Sequence, residues 1–348
     1  VFKSMNCISN PALYVITFIV ALCSLVYELL IAQTISFFAS NSVIWYSLTI
    51  GLYLVSMGAG AYCADRFVGK NNLITSFIKL EILLSLIGGM VVLIIHYAQM
   101  LMVFCWVRNW EMMGLAVFYL SALGCVLSVG FLTGIELPLL IKLGEKSNGK
   151  NMMNRVLSAD YFGSLAGGLI FPLYFFPRFE LISIGWLVAL MNLGLAFVVL
   201  ILLRKEHVRK LWLSGMSVAF IFMLCLFNGK NIHQYFLNKF YYYESSVSNL
   251  TSLLIPNKVG LTAKRENSAY QKIDLVQLPA EEPLNLLVRA YSTKLIQSTD
   301  FPEGWTLFMD GYFQLWADFE ELYHEYFAHM PIQLNGNVPS NVLVLGAG

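Results

Sequence analysis

The stretch FMDGYFQLWADFEELYHEYFAHMP, residues 308–331, decides how the C-terminal part of this chain folds. Within it, Asp310-Gly311 separates two apolar runs that are rich in β-forming residues. Such a dipeptide predicts a two-residue hairpin turn, because glycine adopts positive φ without steric cost. We therefore predict two antiparallel strands, at residues 304–309 and 312–316.

A helix is predicted directly after this hairpin. Asp318 followed by Glu321 is typical of a helix N-cap with its capping-box partner. The apolar residues that follow recur at helical spacing and define one face; they are Phe319, Leu322, Tyr323, Tyr326, Phe327 and Met330. We predict a helix at residues 318–330 that Pro331 ends.

The final residues, NVLVLGAG at 341–348, form a short apolar run closed by Gly346-Ala347-Gly348. This pattern is typical of the first strand of a parallel α/β sheet, which enters a Gly-rich turn where the backbone approaches a ligand closely. A lone G-x-G also occurs in ordinary turns, so that simpler interpretation stays open.

Four motifs, in this order along the chain, resemble those of the spermidine synthase family, the polyamine aminopropyltransferases. They are Tyr270-Gln271, DGYFQ at 310–314, EELYHE at 320–325 and VLVLGAG at 342–348. The third motif departs from the family in one place, because Phe319 stands where the family usually carries an aspartate. That difference affects the acidic edge of the site.

The resemblance implies transfer of an aminopropyl group from decarboxylated S-adenosylmethionine to a diamine such as putrescine. The sulfonium nucleoside would be a co-substrate and not a permanently bound cofactor. By the same resemblance, Gln271 would contact the nucleoside thioether, and Tyr323 and His324 would line the polyamine channel. Gly346 and Gly348 would let the backbone approach the nucleoside.

Acidic residues around these motifs suit a polycationic substrate. Residues 228–348 carry 8 Lys and Arg but 12 Asp and Glu, whereas residues 1–227 carry 14 and 9. Among these acids, Asp310 and Glu320 are candidate substrate-binding residues. The alternative interpretation of each acid is a solvated helix face.

The catalytic base is expected outside this chain. A protonated amine is not a nucleophile, so a carboxylate must accept a proton as the amine attacks. In the family this aspartate lies well downstream of the G-x-G turn, and hence after Gly348. We therefore interpret the chain as truncated at the start of a Rossmann-like nucleotide-binding sheet, and we expect it to be inactive alone.

Composition indicates that most of the chain lies in a lipid bilayer. Hydrophobic residues make up 58% of the 348 positions and charged residues 12%, whereas soluble domains carry about 25% charged residues. Seven apolar stretches reach the roughly 20 residues needed to cross a bilayer; they are residues 11–38, 43–64, 74–104, 112–141, 158–176, 180–203 and 210–227.

The chain then divides into four parts. We predict a polytopic α-helical membrane domain of about seven spans at residues 1–227 and a connector at 228–260. A small β-rich domain follows at 261–339, and the first strand of the truncated Rossmann-like domain at 340–348. A further strand is predicted at 284–290.

Loop charges predict the orientation. Basic residues cluster at 65–79, 142–157 and 204–210, and such loops face the cytoplasm. Seven crossings would then place the C-terminal part outside, whereas the co-substrate is made in the cytosol. Either 210–227 is re-entrant or interfacial, or the C-terminal part is external. We expect the inner membrane, with the soluble part on its cytoplasmic side.

Among the acids that fall inside the predicted spans, Glu28, Glu136 and Asp160 are the candidate polar sites. Charges are costly in a bilayer, so such residues are typical of ligand or ion sites. The alternative is packing and hydrogen bonding between helices. Downstream, Gly163 and Gly167 form a G-x-x-x-G face, which predicts that another helix approaches closely.

Other partners and two rival functions complete the predictions. The cysteines form no C-x-x-C pair, and His324 and His329 are five positions apart, so we predict no metal site. We predict no nucleic-acid partner, and a homo-oligomer stays open. The rival functions are a polyamine or cation transporter with an enzyme-like sensor domain, and a methyltransferase that uses intact S-adenosylmethionine.

Overall fold

The structure is a computed structural model. It describes residues 10–39, 42–67, 73–148, 152–203, 209–242, 263–268, 271–278, 304–316, 325–337 and 339–341. Within these residues the molecule is a bundle of long helices with one small antiparallel sheet at its end.

Seven helices of the described part are long and apolar enough to cross a membrane. They are α1 Asn10–Ala39, α2 Ser42–Phe67, α3 Leu73–Val107, α4 Glu111–Asn148, α5 Met153–Ile170, α6 Leu181–Leu203 and α7 Arg209–Phe227. Helix α5 continues through a π-helical turn, Phe171–Phe175, and a last turn, Phe176–Arg178. The seven predicted stretches all fall on these helices.

Helix α1 lies inside the bundle, and its contact with α5 is unusually close. A Cβ atom added at Gly163 would lie 2.1 Å from the Phe18 carbonyl oxygen, and one at Gly167 would lie 2.8 Å from the Leu22 carbonyl oxygen. Any side chain at these positions would push the two backbones apart. The predicted G-x-x-x-G contact is therefore confirmed, with α1 as the partner helix.

The predicted connector contains a helix that the hydropathy pattern did not reveal. Helix α8, Gly229–Tyr241, buries Phe236, Leu237, Phe240 and Tyr241. These aromatic and aliphatic residues recur at helical spacing, and Leu237, Phe240 and Tyr241 belong to one cluster with Phe37 and Phe38 at the end of α1. From the sequence, these residues are assigned only to the connector, with no secondary structure predicted.

The sheet is a four-stranded antiparallel meander in the order β1-β2-β3-β4. Its strands are β1 Lys264–Asn267, β2 Lys272–Leu278, β3 Gly304–Met309 and β4 Tyr312–Trp316. Both predicted hairpin strands are confirmed, and so is the turn, where Asp310 has φ 50° and Gly311 φ 82°. Positive φ at both positions is the geometry of a type I′ turn.

Pro331 does not end the last helix, so that prediction is wrong. After a π-helical turn, Glu325–His329, helix α9 runs from Met330 to Asn335 and ends at Gly336, which has φ 73°. Proline is tolerated in the first turn of a helix because its missing N–H has no intrahelical partner there. The predicted strand at 284–290 lies outside the described residues, as do residues 342–348 of the predicted strand and Gly turn at 340–348 and the part of the predicted helix before Glu325.

Candidate functional site

A cavity of about 300 Å³ lies where the sheet meets the helix bundle. We name it the interface cavity. Its helix wall consists of Gln33, Ser36, Phe37 and Tyr46; its sheet wall consists of Gln271, Met309, Asp310, Tyr312 and Gln314; Phe176 closes one side.

Two predicted substrate-binding residues meet in this cavity. Gln271 and Asp310 are 39 positions apart in sequence, yet both contribute to the sheet wall, together with Gln314 of the DGYFQ motif. The YQ and D-G-x-x-Q motifs, which are separate in sequence, therefore face one space. Antiparallel pairing explains this, since Ile273 lies opposite Met309 and brings the β3–β4 turn beside the start of β2.

Hydrogen bonds fix both residues in place. The Lys272 N–H donates to Asp310 Oδ1 at 3.0 Å, and the Asp310 N–H donates to the Lys272 carbonyl at 2.8 Å. In the turn before β2, the Gln271 N–H donates to Ser268 Oγ at 2.8 Å, and the Ser268 N–H donates to the Gln271 carbonyl at 2.9 Å. The backbone of Gln271 is thus held, while its side chain is exposed toward the cavity.

Asp310 is the one charged residue among the described residues that line the cavity. Burial raises the pKa of its carboxyl group above the ordinary value, although the hydrogen bond from the Lys272 N–H acts to lower it. A raised pKa means that the surroundings do not fully stabilise the negative charge of the carboxylate. A cationic ligand in the cavity would supply the missing positive charge.

The helix wall is formed by the C-terminal end of α1 and the N-terminal end of α2. The Tyr46 hydroxyl donates a hydrogen bond to Gln33 Oε1, so two polar groups from different helices are joined at the cavity surface. Sequence analysis did not select these residues. Gln33 and Tyr46 belong to no family motif, and only the fold brings them into the same cavity as Asp310.

A buried charge network attaches the sheet to the helices next to the cavity. Arg265 donates to both carboxylate oxygens of Asp274, at 2.5 and 2.6 Å, and Tyr241 of α8 donates to the same carboxylate at 2.6 Å. Lys272 Nζ donates to the carbonyl oxygens of Phe176 and Phe179, at 2.8 and 2.9 Å. The sheet is therefore bonded to α8 and to the end of α5.

Glu180 is the second anion of this network. It lies 3.5 Å from both Arg265 and His233 and accepts a hydrogen bond from Asn267 at 3.1 Å. Burial lowers the pKa of His233 to about 4, so at neutral pH this imidazole is uncharged and Arg265 is the closest positive charge to Glu180. Burial also lowers the pKa of Lys272 to about 8, although Glu180 acts to raise it.

Five further predicted site residues cannot be placed, and the predicted substrate roles of all the site residues, Gln271 and Asp310 included, stay predictions. Glu320, Tyr323 and His324, as well as Gly346 and Gly348, lie outside the described residues. Their roles in the polyamine channel and at the nucleoside stay predictions.

The predicted intramembrane acids do not line the cavity. Glu28 and Glu136 are buried, and Asp160 is half-buried. A further acid, Glu81, is not among those predicted from the sequence; it is fully buried beside Glu136 because α3 and α4 pack together. Within the described part of the chain, neither Glu81 oxygen forms a hydrogen bond of normal geometry. A single acid near the start of α3 gave no signal that it would meet a second one.

Comparison with known proteins decides the family. No protein-family model matches the chain, and no solved structure matches it significantly. Curated relatives named polyamine aminopropyltransferase do match. That of Oceanobacillus iheyensis is 31% identical over 95% of this chain and 55% of its own length. That of Leptospira interrogans is 28% identical over 97% of this chain and 57% of its own length. The first of two from Streptomyces coelicolor is 25% identical over 95% and 54%.

The chain belongs to a spermidine synthase-like family. It spans about half the length of the curated aminopropyltransferases that it matches. Because the alignments cover about 95% of the chain, they include the helices as well as the motif-bearing sheet. The helical bundle is therefore part of the spermidine synthase-like relationship and not a separate addition to this chain.

Proposed function

We propose that this chain is the helical and β-sheet part of a membrane-bound polyamine aminopropyltransferase. The reaction would transfer an aminopropyl group from decarboxylated S-adenosylmethionine to a diamine such as putrescine. The amine nitrogen attacks the aminopropyl carbon bonded to the sulfonium; the C–N bond forms as the C–S bond breaks, and the sulfur leaves as a neutral thioether. The amine proton passes to a carboxylate base.

One observation supports this proposal above all. Gln271 and Asp310, chosen from separate motifs, line the same cavity. An amide and a single carboxylate beside aromatic side chains suit a small cationic substrate, since an ammonium group donates hydrogen bonds and is attracted to ring faces. The catalytic base is proposed to come from sequence after Gly348, in keeping with the greater length of the relatives.

An assay of the complete protein tests the proposal. Membranes containing it are incubated with putrescine and either decarboxylated or intact S-adenosylmethionine, and products are identified by mass. We expect one added aminopropyl group with the decarboxylated donor only, and Gln271→Ala should raise the KM for that donor about tenfold through loss of a hydrogen bond to a charged ligand. Methyl transfer, or no transfer by folded protein, would refute the proposal.

We also propose that the seven helices cross the membrane with the sheet on the side opposite to the basic loops. Helix α7 supports a full crossing. Near its start, the Trp212 ring lies 5.1 Å from that of Phe197, late in α6. Just past its end, Gly229 lies beside Ser183, early in α6. Helix α7 thus runs antiparallel to α6 over its whole length, which favours a crossing over a re-entrant segment.

The sheet lies at the non-basic end of the bundle. It contacts Phe37 at the end of α1 and the turn that follows α5, whereas Lys142 pairs with Asp65 at the opposite end. By the preference of basic loops for the cytoplasm, the interface cavity would face outward. This placement departs from the cytoplasmic one that the origin of the co-substrate led us to expect, and it requires the donor to reach the outer face.

A further inference from the structure

We propose that the helix wall of the interface cavity binds the ammonium group of the amine acceptor, with Gln33 and Tyr46 as specificity-determining residues. This inference rests on the proposed function for its choice of ligand. It adds that the helical bundle is part of the substrate site and not merely an anchor for the sheet.

The positions of the two side chains support this role. Gln33 lies one turn before Phe37 at the end of α1, and Tyr46 lies in the first turns of α2. The hydrogen bond between them uses the Tyr46 proton and one lone pair of Gln33 Oε1. A carbonyl oxygen has a second lone pair and a hydroxyl oxygen can also accept, so both oxygens can still receive hydrogen bonds from a ligand.

The opposite wall supplies the negative charge. Asp310 Oδ1 accepts the Lys272 N–H, and within the described part of the chain no donor to its other carboxylate oxygen is found. The nearby cations are engaged elsewhere: Lys272 Nζ with two backbone carbonyls and Arg265 with Asp274. An ammonium group has three N–H donors, which matches acceptors from Gln33, Tyr46 and Asp310.

Size and lining favour a short linear amine. A volume of about 300 Å³ is at the lower limit for small-molecule sites, which suits a ligand as small as an alkyl diamine. The rings of Phe37, Tyr312 and Phe176 offer apolar contact to the methylene groups of such an amine. Among the described residues, the lining includes no lysine or arginine.

Direct binding tests the inference without any need for catalysis. Binding of radiolabelled putrescine to the purified complete protein in detergent is measured by equilibrium dialysis for wild type, Gln33→Leu and Tyr46→Phe. We expect Gln33→Leu to weaken binding about tenfold and Tyr46→Phe several-fold, as for hydrogen bonds to a charged group. Tyr62→Phe is the matched control for Tyr46→Phe, because Tyr62 also lies on α2 but is 84% exposed and does not line the cavity.

A charge-adding variant separates ligand binding from a purely structural role. Gln33→Glu retains an acceptor for Tyr46 and adds negative charge, so we expect it to bind putrescine at least as tightly as wild type while Gln33→Leu binds weakly. If Gln33 only joins two helices, both variants, once shown to be monodisperse with unchanged thermal midpoints, will bind as wild type. That result would overturn the inference.

Failure of this inference can be told apart from failure of the proposed function. If wild type transfers aminopropyl groups but Gln33→Leu leaves both the KM for diamine and the binding affinity unchanged, only the role of the helix wall is wrong. If wild type binds putrescine through Gln33 but transfers nothing, the binding site stands and the proposed reaction is wrong.

Discussion

At the scale of single residues, the sheet is held to the helices by groups that depend on one another's charge. Asp274 has no exposed side-chain surface, and its partner Arg265 is 9% exposed. Removing one member of such a buried pair leaves the other uncompensated. Because Gln271 and Asp310 flank Lys272, whose Nζ is bonded to the end of α5, this network also sets the position of the sheet wall of the cavity.

The His233 imidazole makes this junction sensitive to acid. Burial lowers the pKa of His233 to about 4, against about 6.5 in the unfolded chain. Between pH 6.5 and about pH 4, His233 therefore binds a proton in the unfolded state but not in the folded state, so the free energy of unfolding falls as the pH is lowered through this range. Burial acts to raise the pKa of Glu180, but the charges of His233, Arg265 and Lys272 outweigh this effect, so the pKa is lowered. The stability that ionised Glu180 contributes is therefore lost only below about pH 4.3, the pKa of a glutamate in the unfolded chain.

We therefore predict that lowering the pH from 7.5 to 5 destabilises the docked sheet, with at most about 2 kcal/mol due to His233. His233→Gln should remove that share of the acid sensitivity, while it has little effect at pH 7.5. The stability of the docked sheet is measured by heating the protein in detergent at each pH and monitoring unfolding by the proteolytic release of the C-terminal part. Equal acid sensitivity in the variant and in wild type would show that His233 is not the responsible group.

At the scale of elements, the close contact between α1 and α5 should be the least tolerant of added atoms. We predict that Gly163→Ala destabilises the bundle by about 1–3 kcal/mol, because the new Cβ meets backbone that cannot rotate away. Gly124→Ala in α4 is the control: nothing lies within 4 Å of its Cβ. That change should be neutral or stabilise by up to about 1 kcal/mol, since alanine favours helix.

Thermal midpoints in a fixed detergent compare the two variants. Equal midpoints for Gly163→Ala and Gly124→Ala would contradict the close packing of α1 on α5.

Elements were predictable wherever their signal was local. The seven helices follow from apolar length, and the β3–β4 hairpin follows from Asp310-Gly311. Helix α8 and strand β1 were missed, because α8 is too short and polar for a hydropathy signal and the four-residue β1 has no alternating apolar pattern. The extent of α9 was mispredicted because proline in a first turn was interpreted as a stop.

The site was predictable only in part, for the same reason. Gln271 and Asp310 could be selected from motifs, and their meeting in one cavity follows from strand pairing. Gln33 and Tyr46 could not be selected, because their proximity to Asp310 depends on how the end of α1 and the start of α2 lie against the sheet. The contact of Glu81 with Glu136 likewise depends on the packing of α3 on α4.

At the scale of the whole molecule, the seven crossings that we propose would put the sheet and the basic loops on opposite sides of the membrane. Single cysteines introduced at Lys146 and at Gln333, in a cysteine-free background, test this in intact cells with a membrane-impermeant thiol reagent. We predict labelling at position 333 and none at position 146 until the cells are permeabilised. The reverse pattern would place the cavity in the cytoplasm.

The central claim is that helix ends and sheet motifs enclose one amine site. The most direct measurement is thiol cross-linking of a Gln33→Cys, Gln314→Cys double variant of the complete protein, with the joined peptides identified by mass spectrometry. Both positions line the interface cavity, so a short bifunctional maleimide should join them, and saturating putrescine should suppress the product. Gln33→Cys with Gln333→Cys is the control pair. Absence of the 33–314 peptide, or its formation unaffected by putrescine, would contradict the account.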